Sequence, residues 1–241
     1  MDWNAHVDSY CERTGPEFWS EPVNAATNLA FLLAAFLLWF LARRNRPGGT
    51  PVPTSVTALI TILVLIGLGS FAFHTVARAW SALLDVVPIA LFTHFYVVCY
   101  LHWFWGVRWS RAWWGFPAFL VFSLLVSTAV GPLIGRGSGS YLPALVGMLV
   151  LGGALALSRD ASRARYGRML VLAGGVFAVS LLLRAVDAAV CSGFATGTHF
   201  LWHVLNACVL YLVTRAVIVR WQESVLREHP GSTPEAAPPG G

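Results

Sequence analysis

The chain has 241 residues, of which 57% are hydrophobic and only 11% are charged, and its mean hydropathy is +0.66. This composition is too apolar for a soluble domain of that length and indicates an integral membrane protein. The formal net charge is +5, and the basic residues, all of them arginine, lie mostly in loops between apolar stretches. That placement excludes a nucleic-acid-binding interpretation of the charge.

Stretches of about 20 residues with little charge predict seven membrane-spanning helices. They cover residues 23–42, 55–77, 82–104, 112–130, 141–158, 169–190 and 198–219. The predicted fold class is therefore an all-α membrane protein, a seven-transmembrane-helix bundle within residues 23–220. We expect an acidic N-terminal segment at 1–22 and a cytoplasmic, disordered tail rich in proline and glycine at 221–241.

The arginines alternate between the two sides of this bundle and so predict its orientation. Clusters follow the first, third, fifth and seventh spans, whereas the opposite loops hold only Arg13, Arg78 and Arg136. The positive-inside rule then places the N-terminus outside and the C-terminus in the cytoplasm. Short loops and the use of arginine in place of lysine indicate a bacterial inner membrane.

Five polar residues fall near the predicted outer ends of spans two, three and seven: Ser70, His74, Asp85, His199 and His203. His199 and His203 are four residues apart, so both imidazoles project from one face of a helix. With His74 they make the three-histidine set of a hydrolytic zinc site that keeps its fourth position open. A lone histidine in a membrane helix often only bonds a neighbouring carbonyl, so the hypothesis depends on whether the three meet.

This set of side chains predicts a hydrolytic chemistry. Zinc held by three neutral imidazoles lowers the pKa of water toward ~7, and Asp85 is predicted to accept the proton from that water as the general base. Ser70, one turn before His74, is predicted to assist the developing oxyanion. The outer-facing site would then attack an amide or ester carbonyl from the periplasmic side.

The motifs S-F-A-F-H and H-F-L-W-H, with an aspartate between them, resemble the signature of the alkaline ceramidases, members of the CREST superfamily of seven-helix membrane hydrolases. The resemblance runs from about Asp8 to Arg220. It implies cleavage of the N-acyl amide bond of ceramide or a related sphingolipid, which gives a fatty acid and a sphingoid base. The implied partners are the lipid substrate and the bilayer.

The acidic segment before the first span is similar to the stretch that wraps a calcium ion in the ceramidases. Carried over residue by residue, the resemblance implies calcium ligands at four positions: Asp8, Tyr10 through its carbonyl, Glu12 and Glu21. Hard oxygen ligands of this kind suit calcium. Ser9 stands where the family has an aspartate, and Thr14 where it has an asparagine.

The cysteines agree with the same resemblance. Cys11 and Cys191 both lie on the predicted outer side, where an oxidising compartment permits a disulfide. The resemblance implies this bridge, which would tie the acidic segment to the helix that carries His199.

Three alternatives stay open. The superfamily also resembles receptor-like proteins, so the chain could be a lipid sensor in which zinc is structural, or it could hydrolyse another acyl lipid. A b-type cytochrome would need axial histidines at matching depth on facing helices, and His94 and His102 lie deeper on span three than Asp85.

Arg184 and Asp187 are three residues apart on span six and could pair with each other.

Overall fold

The protein is described by a computed structural model over residues 2–44, 46–134 and 137–228. Within those ranges the chain is helical and contains no strand, only an isolated β-bridge between His6 and Arg78. Seven helices among these residues are long and apolar enough to cross a membrane. The predicted fold class, an all-α seven-helix membrane protein, is confirmed.

The helices follow one another in the order α1 (Pro22–Thr27), α2 (Leu29–Arg44), α3 (Thr54–Val76), α4 (Ala79–Trp105), α5 (Trp109–Ala112), α6 (Gly115–Ile134), α7 (Leu142–Ala156), α8 (Ala161–Val190) and α9 (His199–Glu228). The first span joins α1 with α2, and the fourth joins α5 with α6. The seven spans have 19 to 30 residues. At about 1.5 Å per residue they are roughly 28 to 45 Å long, which matches a hydrocarbon core of about 30 Å.

Residues with a left-handed backbone conformation end two of the helices, and a side-chain cap begins another. α3 ends at Val76 and is followed by Ala77, whose φ of 49° turns the chain back so that α4 begins at Ala79. α4 is followed by Gly106 with a φ of 70°, a backbone conformation that glycine adopts without strain. α8 begins after Asp160, whose carboxylate accepts hydrogen bonds from two backbone amides of the first turn.

Two helices extend beyond the predicted apolar stretches, because hydropathy detects only the part of a helix that lies in hydrocarbon. α8 begins at Ala161 rather than 169, and its polar first turns are joined to α9 by an ion pair between Arg165 and Glu223. α9 continues to Glu228, where Trp221 and Gln222 remain buried. Residues 221–228 of the predicted tail are therefore helical, and the rest of that tail lies outside the described residues.

The bundle is apolar both inside and on its surface. Neighbouring helices pack in pairs, α3 with α4, α7 with α8 and α8 with α9, and α2 packs against both α3 and α9. Large side chains such as Leu33, Phe36, Leu124 and Leu125 point outward and are more than half exposed. Apolar surface of this extent is unfavourable in water but not in contact with lipid tails. The chain is therefore an integral multi-pass membrane protein.

One end of the bundle gathers the ends of α3 and α8 and the starts of α1, α4 and α9, and we call it the site end. The N-terminal segment, residues 2–21, lies across it. Its backbone pairs with the turn between α3 and α4: the Val7 amide donates to the Ala77 carbonyl, and the Ala79 amide donates to the Ala5 carbonyl. The compartment that this end faces stays a prediction from the arginine pattern.

Candidate metal centre

Three buried histidines meet at the site end. His74 lies in the last turn of α3, and His199 and His203 lie in the first two turns of α9. One potential ligand nitrogen from each lies within 4.8 Å of those of the other two, and the ring centroids are 4.7 to 5.1 Å apart. Among the described residues, no other group of three His, Cys, Asp or Glu side chains is placed to hold a metal ion.

The ring nitrogens of these histidines fit a metal ion. Each of the three imidazoles has a buried ring nitrogen without a hydrogen-bond partner: Nε2 of His74, Nδ1 of His199 and Nε2 of His203. A buried polar atom without a partner costs free energy, so three of them side by side indicate that they bind something else. A three-nitrogen donor set is typical of catalytic transition-metal sites.

Two of the imidazoles are oriented by partners on the side away from the cluster. Nδ1 of His74 is 2.6 Å from Oε2 of Glu21, and Nδ1 of His203 is 2.9 Å from Oγ1 of Thr27 in α1. Because each Nδ1 is engaged, each Nε2 is left to face the cluster. Partners of this kind fix the ring orientation and the tautomer of metal-binding histidines.

Glu21 joins the N-terminal segment to the cluster. Besides its contact with His74, it accepts hydrogen bonds from Nε of Arg13 at 2.5 Å and from Nδ2 of Asn24 at 3.0 Å. Burial alone would raise the pKa of Glu21, but the hydrogen bonds from His74, Asn24 and Arg13 outweigh it and hold the pKa below its ordinary value. The ionised carboxylate therefore presents its charge to the His74 ring.

His199 is positioned by the N-terminal segment and by α8. The Tyr10 ring stacks on its imidazole, with centroids 3.5 Å apart and planes at 13°. The Asp187 carboxylate accepts from the backbone amides of Thr198 at 2.7 Å and His199 at 2.9 Å, and also from the Cys11 amide at 3.0 Å. Asp187 thus caps the start of α9 from a neighbouring helix.

A disulfide and a glycine fix the chain around Asp187 and the start of α9. Cys11 and Cys191 are bonded to each other, as the resemblance implied, and the bond joins the N-terminal segment to the end of α8. Gly197 has a φ of 66°, and a Cβ there would lie 2.2 Å from Oδ1 of Asp187. Glycine is therefore required where the chain turns into α9.

Ser70 and Asp85 lie beside the histidines. Ser70 is buried in α3 one turn before His74, and Asp85 is half-buried in the second turn of α4. The Asp85 carboxylate interacts with the Ser70 hydroxyl and, electrostatically, with His74 and with Arg184 of α8. A hydroxyl and a carboxylate next to a nitrogen cluster can donate and accept protons at a reacting group.

The N-terminal carboxylates occupy separate positions. Glu12 accepts from the backbone amides of Val23 at 2.7 Å and Asn24 at 2.8 Å and so caps α1. Asp8 is exposed, and Glu21 is taken up by the contacts given above. Among the described residues, the carboxylates of Asp8, Glu12 and Glu21 therefore do not form a group that could hold a metal ion. In this arrangement they do not fit a divalent cation, and calcium stays a prediction.

An apolar cavity of about 90 Å³ lies next to the metal centre. Phe31 and Trp202 line the end of the cavity nearest the histidines, and Phe31 also packs against His203, with ring centroids 6.4 Å apart. Along α9 the lining extends to Val213, roughly 16 Å deeper at the rise of an α-helix. The guanidinium of Arg184 lies over the rings of Trp202 and Tyr141, so polar and apolar regions meet at this end.

Several residues that orient the histidines carry no signal in the sequence. Thr27 and Arg13 carry no motif, and nothing in their spacing connects them to His203 or Glu21. Asp187 gave a signal, because a carboxylate within an apolar span usually has a partner or a function, but its partners lie on other segments. Arg184 likewise donates to Ser138 and to Tyr10.

Two comparisons bear on this arrangement. The model of a protein family described as Ceramidase matches residues 6–232. The match covers residues 6–21 of the N-terminal segment, all seven spans and every polar residue discussed above. A comparison with curated proteins finds no match.

Proposed function

The chain belongs to the ceramidase family, and from this premise we propose that it is a zinc-dependent hydrolase of the N-acyl amide bond of ceramide or a related sphingolipid. The family implies a hydrolase and suggests ceramide as the substrate. The observation that carries the proposal is the convergence of three unpartnered histidine nitrogens beside Ser70 and Asp85. The products are a fatty acid and a sphingoid base.

Zinc is the metal that best suits these donors. Three imidazole nitrogens without a thiolate, in a cluster with an adjoining carboxylate and hydroxyl, match the composition of hydrolytic zinc sites. When bound, zinc supplies a Lewis acid that polarises a carbonyl and acidifies water. His74, His199 and His203 would hold it, and Glu21 and Thr27 would keep two of those rings in place.

Asp85 and Ser70 are the groups that we assign to proton transfer and charge stabilisation. Asp85 accepts a proton from the attacking water as the water oxygen bonds to the amide carbon. Ser70 donates a hydrogen bond to the oxygen on which negative charge develops. The carbon–nitrogen bond then breaks, and Asp85 returns the proton to the departing amine, so the carboxylate is regenerated.

The cavity supplies the site for the acyl chain. Its lining is almost entirely apolar and begins next to His203, so a lipid whose amide lies at the metal would extend its acyl chain between α4, α7 and α9. Burial of the acyl chain in this cavity is favourable by about 25 cal/mol for each Å² of apolar surface removed from water. The disulfide supports an oxidising compartment at the site end, in agreement with the periplasmic side of a bacterial inner membrane.

The experiment that tests the proposal is turnover of defined lipids by the purified protein in detergent. Ceramides of several chain lengths are compared with an acyl ester lipid, and released fatty acid is measured for the wild type and for Asp85→Asn. We expect hydrolysis of ceramide that Asp85→Asn lowers by at least about 10²-fold, the usual contribution of a general base. Turnover of the ester alone would identify another acyl-lipid hydrolase, and binding without turnover would identify a lipid sensor.

A further inference from the structure

Arg13 is a buried cation surrounded by oxygen atoms. Its side chain has a relative exposure of 0%. Nε donates to Oε1 of Glu21 at 2.5 Å, and the two terminal nitrogens donate to the carbonyls of Gly15 at 3.0 Å, Glu17 at 3.5 Å and His74 at 2.9 Å. The guanidinium thus binds one carboxylate and three backbone carbonyls from both the N-terminal segment and α3.

Carboxylate and carbonyl oxygens in one shell are also the ligands that a calcium ion takes. A guanidinium has a fixed positive charge and five donors in a rigid plane, so it can satisfy several such oxygens at once. We propose that the Arg13 guanidinium is the built-in cation of the N-terminal segment, in the place of calcium, and that it positions His74 without a divalent ion.

The rest of the N-terminal segment agrees with this proposal. Ser9 and Thr14 have hydroxyls where the resemblance to the ceramidases implies a carboxylate and an amide. Both carboxylate oxygens of Glu12 accept hydrogen bonds from backbone amides at the start of α1. What remains around Glu21 is a set of oxygens that already holds one cation, so a second cation would have to displace Arg13.

Arg13 holds His74 at two points. It pairs with the Glu21 carboxylate that contacts Nδ1 of His74, and it also binds the backbone carbonyl of His74 itself. The backbone and the ring of this candidate metal ligand are therefore fixed by the same guanidinium. Arg13 is a positioning residue, since it acts through Glu21 and His74 and does not touch the reacting atoms.

The first test uses the wild-type protein and reads thermal unfolding, so it does not depend on which lipid is hydrolysed. Protein dialysed against calcium-free buffer is compared with and without calcium chloride at about 10⁻³ M, a concentration that fills weak calcium sites in proteins. We expect the same unfolding midpoint in both. A midpoint that rises with calcium, and not with magnesium, would overturn the proposal.

The second test replaces the cation. Arg13→Ala leaves Glu21 and the carbonyls without a positive partner, and we expect its midpoint to fall by at least about 5 °C. Calcium chloride should restore at least half of that fall, because it can occupy the vacated oxygens. Arg78→Ala is the matched control: Arg78 also bonds the N-terminal segment, through the Asn4 carbonyl, but it is exposed, and its variant should not respond to calcium.

Rescue by calcium separates a cation site from an ordinary buried residue. If calcium leaves the midpoint of Arg13→Ala unchanged, or raises that of Arg78→Ala equally, the proposal is overturned. If Arg13→Ala cannot be purified, Arg13→Gln provides the same comparison. It removes the charge but keeps hydrogen-bond donors, so a fall with a calcium response supports the proposal and a fall without one contradicts it.

Discussion

A single carboxylate, Glu21, orients His74 and neutralises Arg13. The contact of 2.6 Å with Nδ1 leaves Nε2 of His74 to face the other two histidines. An outer partner of this kind raises the basicity of a metal-binding imidazole and fixes its tautomer. The N-terminal segment therefore contributes to the metal centre although none of its residues is among the three histidines.

The change Glu21→Gln tests this role. It keeps the size of the side chain but removes the charge, so we expect metal affinity to fall about 10- to 100-fold, the usual effect of losing such a partner. Metal retained during dialysis against a competing chelator measures it. Glu17→Gln is the control, because Glu17 is exposed in the same segment. Equal retention in the two variants would contradict the assignment.

At the residue scale, the sequence predicted which residues form the candidate metal centre but not which residues orient them. Histidines, a serine and an aspartate in apolar spans are costly unless they have partners, so their chemical types and helical spacing mark them as a candidate site. Thr27, Arg13 and Asp187 act through contacts with residues distant in the chain. Such contacts depend on how the helices pack, which periodicity does not encode.

Among the elements, the contact between α3 and α4 determines where Asp85 lies. A Cβ on Gly69 would be 1.9 Å from the backbone carbonyl oxygen of Leu84, so the two helices approach to backbone contact at this level. Glycine at a helix interface permits close approach of this kind. Ser70 and Asp85, the next residue of each helix, are thereby brought together.

Gly69→Ala should force the two helices apart. Because the obstructing atom belongs to the backbone, we expect destabilisation of about 1–3 kcal/mol and a loss of activity larger than the loss of folded protein. Thermal unfolding and fatty-acid release measure the two effects. Gly175→Ala in α8 is the control, since a Cβ there meets nothing within 4 Å; equal behaviour of the two variants would refute the close-contact argument.

The disulfide links the N-terminal segment to the end of α8. Replacing both Cys11 and Cys191 by serine should destabilise the protein by about 2–4 kcal/mol, the usual contribution of a native bridge. It should also loosen Tyr10 from His199, since Tyr10 is the neighbour of Cys11. Thermal unfolding of the double variant measures the change. Cys208→Ser, which replaces an exposed free cysteine, should leave stability unchanged, and a similar loss in both would argue against the bridge.

For the elements, hydropathy predicted that seven spans exist but not where α8 begins or where α9 ends. The additional turns are polar or only weakly apolar, and they are stabilised by the Asp160 cap and by the contact between Arg165 and Glu223. These are local and interhelical hydrogen bonds, to which an average of hydrophobicity does not respond. The break between α3 and α4 was predicted correctly because two long apolar stretches need a turn between them.

For the whole molecule, the bundle encloses a cavity that we assign to the acyl chain. Ala144 of α7 lines it, so Ala144→Phe should shorten the space and reduce hydrolysis of long-chain ceramides at least about tenfold relative to short-chain ones. The ratio of kcat/KM for the two substrates measures this preference. Ala154→Phe lies on the exposed side of the same helix, and a similar shift in that variant would exclude the cavity as the acyl site.

The architecture as a whole follows from a few properties of the sequence. An apolar composition requires a membrane, and unpaired backbone groups in lipid require helices, so seven spans of adequate length give the all-α fold. The family match confirms the resemblance that the polar residues indicated. The cavity was not predicted, because its walls are apolar residues like those of the core.

The most direct test of the account is the metal content of the purified protein, measured together with release of fatty acid from ceramide, for the wild type, His199→Ala and His102→Ala. His102 lies near the opposite end of α4 and contacts Trp109. We predict one zinc ion per chain and hydrolysis in the wild type and in His102→Ala, and loss of both in His199→Ala. Zinc-free wild-type protein that still hydrolyses ceramide, or His199→Ala with full zinc and activity, would contradict the central claim.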